Sequence, residues 1–98
     1  MAVVQLHPAA GFNLTSIGQV VLTLSGADID LTDTTGPTGG YCSRAFLIGG
    51  TAGNVKYKDM LGNTVTQAVA ANQILECEAQ YVFSTANGTT ATSVSVLL

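Results

Sequence analysis

Few residues in this chain could do chemistry. His7 is the single histidine, stands directly before Pro8 and has no acid close to it in sequence. A general base needs an orienting partner and a group to activate, so His7 reads as a surface histidine. Cys42 has no histidine within several residues, and Cys42 with Cys77 lacks the paired spacing of a zinc site. The two cysteines are either two buried thiols or one bridge joining two strands, and free thiols are the preferred reading. Gly49-Gly50-Thr51-Ala52-Gly53 lacks the lysine of a phosphate-binding loop and precedes a strand, so it reads as a tight connection. Asp28, Asp30 and Asp33 could supply half of the about six to eight oxygens that a hard cation takes, with Thr32 and carbonyls giving the rest. The glycine and distal glutamate of a helix-flanked calcium loop are missing, however, and the plainer role is a solvated edge that discourages strand addition. Glu76 and Glu78 share a strand face, as paired glycosidase carboxylates could, but on one strand they read as a wet face or as cross-strand partners of Lys56 or Lys58. No catalytic, cofactor-binding or metal-binding residue is assigned, and the chain is expected to be a non-enzyme that uses no cofactor.

Composition narrows the classes further. Of 98 residues, 47% are hydrophobic and only 9% charged, with three Lys or Arg against six Asp or Glu. A usual domain carries about 25% charge. The apolar content argues against disorder. With Arg44, Lys56 and Lys58 as the only cations, binding through phosphate neutralisation is excluded as a main mode, so no nucleic acid is expected as partner. A soluble monomer with so few charges must cover itself with Thr, Ser, Asn and backbone. The simpler account hides part of its exterior in an oligomer or larger particle. Met1 to Ala10 has no basic n-region, so no secretory signal is expected. No run approaches the about 18 apolar residues of a membrane helix, and no membrane partner is expected. The Asn-x-Thr triplets at Asn13 and Asn87 are expected by chance in a threonine-rich chain.

The elements that must carry these residues are strands. Thr and Val dominate, and Gly or Pro interrupts most helical windows. Period-two alternation predicts strands at 19–25 (Val20, Leu22 and Leu24 on one face), 43–48, 54–59 (Val55 and Tyr57 inward, Lys56 and Lys58 outward), 64–69, 74–83 and 90–98. The 43–48 run is apolar on both sides and should be central. In 74–83, Leu75, Cys77, Ala79, Tyr81 and Phe83 should share one face and Glu76, Glu78 and Gln80 the other. Residues 67–73 could form one helical turn or an irregular crossing. Gly62-Asn63 suggests a two-residue type II′ hairpin, and Asn87-Gly88 a second turn. Strands arriving about every ten residues predict an all-β fold, a small antiparallel β-sandwich of jelly-roll type or a partly open barrel. Residues 1–16 form an N-terminal arm or first strand, and 17–98 a single β-sandwich domain.

Three runs carry a resemblance: Cys42 to Val55 (Cys-Ser-Arg-Ala-Phe-Leu-Ile-Gly-Gly-Thr-Ala-Gly-Asn-Val), Gly62 to Thr66, and Thr85 to Thr92 (Thr-Ala-Asn-Gly-Thr-Thr-Ala-Thr). Together they resemble the spike base protein family of tailed phages and gene transfer agents, over roughly residues 26–98. Ala70 to Cys77 departs from the family's usual run before the long strand, and residues 1–23 have no counterpart in it. The resemblance implies a ring of small all-β subunits on the capsid surface, at the vertices, carrying a spike or fibre.

The expected function is therefore a virion structural protein, a homo-oligomeric base attached to major capsid protein and to a spike or fibre protein, assembled in the host cytoplasm. Pentamers are expected, with trimers as the other symmetry. The alternatives are a tail or baseplate adaptor, or a carbohydrate-binding adhesion module using Tyr41 or Tyr57. Val3, Val4, Leu6, Phe12 and Leu14 on the arm are the expected partner-binding residues, with an ordinary first strand as the competing role for that segment.

Overall fold

The computed structural model describes residues 18–98, which form two four-stranded antiparallel sheets. The strands are β1 (Gln19–Val21), β2 (Ile29–Asp30), β3 (Ala45–Ile48), β4 (Gly53–Asp59), β5 (Thr64–Val69), β6 (Ile74–Glu76), β7 (Ala79–Val82) and β8 (Val94–Leu97). One sheet has the order β1-β8-β3-β6 and the other β2-β7-β4-β5. The expected antiparallel sandwich is what forms. The arm at 1–16, with Val3, Val4, Leu6, Phe12 and Leu14, lies outside the described residues.

Apolar side chains at alternate positions make the core. Val20 and Leu22, Phe46 and Ile48, Val94 and Val96 point in from one sheet; Leu31, Val55, Tyr57, Val69 and Val82 come from the other. Phe46 and Tyr57 meet as a tilted ring pair at 5.8 Å, linking the two sheets. As expected, β3 is interior, lying between β8 and β6, and Lys56 and Lys58 leave the core to Val55 and Tyr57.

The 74–83 run departs from expectation. It is two strands, not one: β6 pairs with β3 in the first sheet and β7 pairs with β4 and β2 in the second. The chain changes sheets at Cys77-Glu78. Buried Ser43 secures that crossing, because its hydroxyl donates to the Cys77 carbonyl at 3.0 Å and accepts the Ala79 amide at 2.9 Å. A bulge then follows, with Lys58 opposite Tyr81 but Asp59 opposite Ala79, so Gln80 is the extra residue. The bulge reverses the alternation. Ala79 and Val82 go inward, while Tyr81 and Phe83, expected on the apolar face, join Lys56 and Lys58 outside. Lys56 Nζ lies 4.9 Å from the Phe83 ring centre and Lys58 Nζ 5.1 Å from that of Tyr81.

A second crossing lies before β8. Residues 90–93 are not strand, although alternation suggested it. Instead the threonines of 89–92 act as a side-chain ladder for residues 51–56, which lead into and begin β4. Thr89 Oγ1 accepts the Lys56 amide at 3.1 Å, Thr90 Oγ1 the Asn54 amide at 2.8 Å, and Thr92 Oγ1 the Thr51 amide at 2.7 Å. This contact joins the Gly49–Gly53 and Gly88–Thr92 runs. A Cβ on Gly53 would stand 2.7 Å from the Ala91 amide nitrogen, and one on Gly50 would run into Thr92. The 67–73 segment is strand to Val69 and then a turn, closed by Gln73 N–H to the Ala70 carbonyl at 3.2 Å.

Candidate functional site

The acidic residues singled out in sequence are occupied locally. Asp30 Oδ1 accepts the amide and hydroxyl of Thr32, and Asp33 Oδ1 those of Thr35, each closing a two-residue turn. Asp28 faces another way. It accepts the Tyr81 hydroxyl at 2.9 Å, the Ser84 amide at 2.7 Å and Asn87 Nδ2 at 3.0 Å. Those bonds, Asn87's first, hold its carboxyl down at about 2. Asp28 thereby clasps the start of β2 to the 3-10 turn at Thr85–Asn87. No group of three metal-ligating side chains comes together among the described residues. Glu76 and Glu78 part company: Glu76 ends β6 and Glu78 lies at the crossing, so they share no strand face.

The two cysteines are unbridged and half-buried. Burial pushes the Cys77 thiol up to about 11, against a hydrogen bond from the Tyr57 hydroxyl; burial, then Asp30 and Glu78, also raises Cys42. Both are thiols, not thiolates, at neutral pH. Tyr57, a sequence candidate for stacking on a sugar, is in the core, where burial first and the Cys77 sulfur second push its hydroxyl up to about 12. Tyr41 is at the surface.

What the structure does assemble is an apolar end. The β4–β5 hairpin closes through Gly62 N–H to the Asp59 carbonyl at 3.0 Å and Asp59 N–H to the Asn63 carbonyl at 2.9 Å. Gly62 takes φ 86°, as the left-handed position of a three-residue hairpin requires, so the two-residue type II′ turn is replaced by this longer one. The Asp59 side chain stiffens it, with Oδ1 accepting the amides of Leu61 and Asn63, each at 2.9 Å. Those bonds, the Asn63 amide foremost, hold its carboxyl below the usual range. The tip this creates is Met60-Leu61, with Leu61 86% exposed and Met60 51%. Two grooves meet beside it at Met60 and Glu78. One, of about 190 Å³, runs between Tyr41, Cys42, Arg44 and Leu98; the other, of about 320 Å³, between Tyr57, Val65 and Cys77. Leu61 and Met60 are thus held exposed on a hydrogen-bonded turn.

Sequence reasoning missed this end. Met60 and Leu61 fall between the expected strand at 54–59 and the Gly62-Asn63 turn, and two large apolar residues directly before Gly-Asn are the signal that could have found them. Compared with models of known protein families, with curated proteins and with solved structures, the chain finds no match.

Proposed function

We propose that this chain is a structural subunit of a virion, without catalytic activity: an oligomeric base on the capsid surface, at its vertices, that holds a spike or fibre. One observation carries the reading. The Met60-Leu61 tip presents apolar side chains on a hydrogen-bonded turn, in a chain where only 9% of residues are charged. Contacts of that kind gain energy from buried area, roughly 25 cal/mol per Å², and depend little on salt. Repeated around a ring, weak contacts add by avidity. The resemblance to the spike base family supplies the setting, the capsid. The contact between Gly49–Gly53 and Gly88–Thr92 supports it, since residues from two of the resembling runs form one packed unit.

The test is native mass spectrometry of the full chain, followed by electron microscopy of particles purified from cells that express it. Rings of one copy number, pentameric by preference, and the chain co-purifying with capsids are the expected results. A monomer at every concentration, or a chain that never sediments with particles, would overturn the reading.

A further inference from the structure

Among the described residues, each sheet has one edge that carries acids and one edge without charge or a paired strand. In the first sheet, β6 carries Glu76 and is followed by Glu78; in the second, β2 carries Asp30 and is flanked by Asp28 and Asp33. Charged, very short edge strands are how soluble proteins prevent unwanted strand pairing. The opposite edges, β1 (three residues, as short as β6) and the six-residue β5, carry no charged side chain. The stretch 18–27 holds no charged residue, nor does 60–75, which contains β5. Neither strand contains proline, and the one bulge in the second sheet lies between β4 and β7.

The backbone groups on these edges are directed outward. Leu22 N–H donates to the Val94 carbonyl and Leu98 N–H to that of Gly18, each at 2.9 Å. Alternation in an antiparallel ladder therefore turns Gln19 and Val21 away from β8. On β4, Asn54 and Lys56 bond toward residues 83–91, so Val55 and Tyr57 bond toward β5, opposite Gln67 and Val65. That leaves the amides of Thr64, Thr66 and Ala68 pointing outward, with no acceptor among the described residues. All three residues are exposed.

We infer that β5 of one copy pairs with β1 of the next, joining the second sheet of one subunit to the first sheet of its neighbour. The inference rests on the oligomeric reading above and names the contact that builds the ring. A ring needs two different surfaces on each subunit, whereas a surface that pairs with itself gives only a two-fold dimer. The uncharged edges are two, differ from one another and lie in different sheets. Pairing them hides both uncharged edges at once and leaves the guarded edges β2 and β6 in solvent.

Hydrogen exchange on the assembled full chain tests this. The amides of Gln19, Val21, Thr64, Thr66 and Ala68 should exchange at least ~100-fold more slowly in the oligomer than in Thr66→Lys monomer, with Gln19 and Val21 protected alongside β5. Fast exchange at these amides in an intact oligomer overturns the β5–β1 contact and leaves the oligomeric reading standing. A wild-type chain that is monomeric throughout overturns both. Cross-linking Val21→Cys and Thr66→Cys proteins with a bismaleimide, wild type controlling for Cys42 and Cys77, sets the pairing. Covalent dimers in the mixture but in neither protein alone support the inference. Dimers of Thr66→Cys alone mean a two-fold β5–β5 contact and overturn it. Protection of β5 that is lost on deleting residues 1–17, while the oligomer persists, assigns that edge to the arm and also overturns it.

Discussion

The Ser43 hydroxyl accepts the Ala79 amide at 2.9 Å, across a sequence separation of 36 residues, at the point where the chain leaves one sheet for the other. With its second bond to the Cys77 carbonyl, this one small side chain satisfies two backbone groups that no strand can reach there. Ser43→Ala should lower stability by about 1–3 kcal/mol in urea unfolding, the cost of leaving buried polar groups unpaired. An unchanged midpoint would show that water takes over the hydroxyl's role.

Thr89 allows a cleaner separation of shape from hydrogen bonding. It is fully buried, and its hydroxyl accepts the Lys56 amide. Thr89→Val keeps the volume and should cost about 1–3 kcal/mol, whereas Thr89→Ser keeps the acceptor and should cost less. Thermal melts of the two variants side by side would decide it. The reverse order would mean that packing, not the amide, fixes this position.

Gly50→Ala forces a methyl group into Thr92, so it should destabilise by about 1–3 kcal/mol or prevent folding. Gly26→Ala meets nothing within 4 Å and should leave stability unchanged or raise it by up to about 1 kcal/mol. Soluble yield and circular dichroism of the pair measure the contrast.

Acid should loosen the fold through Asp28. Its folded pKa of about 2 lies below the usual 3.8, so its contribution is complete above about pH 4 and is lost as the pH falls toward 2. Asp33 and Asp59 are lowered as well and act in the same direction. The melting temperature should therefore fall between pH 4 and pH 2, the window set by those two values. Asp28→Asn should lower it at neutral pH and flatten that slope without removing it. A slope identical to wild type would contradict the clasp.

Leu61→Asp separates attachment from folding. At 86% exposure the side chain supports little of the core, so stability should stay within about 0.5 kcal/mol. Co-sedimentation with capsid particles should fall by at least tenfold, because a buried unpaired carboxylate costs more than the roughly 1.4 kcal/mol that a factor of ten represents. Undiminished co-sedimentation would remove the hairpin tip from the attachment surface.

Much of the fold was legible because alternation and burial coincide where a strand stays in one sheet. Lys56 and Lys58 against Val55 and Tyr57 are the clearest case. The reading failed where a strand changes sheets. Leu75, Cys77, Ala79, Tyr81 and Phe83 alternate without a break, and no glycine or proline marks the crossing at Cys77-Glu78. What breaks the strand is a hydroxyl 34 residues away and an extra residue at Gln80, both tertiary facts. The candidate site was hidden for a related reason. Period-two patterning describes strands, whereas Met60 and Leu61 owe their exposure to a turn whose geometry depends on Asp59 and Gly62 together.

The placement of the three cationic side chains has a consequence for proteolysis. Trypsin can cut only after Arg44, Lys56 and Lys58. Two of these bonds lie inside β4, a strand with neighbours on both sides, and the third directly precedes β3, another interior strand. Digestion needs β4 or the start of β3 to leave its sheet, so its rate reports how readily these strands open.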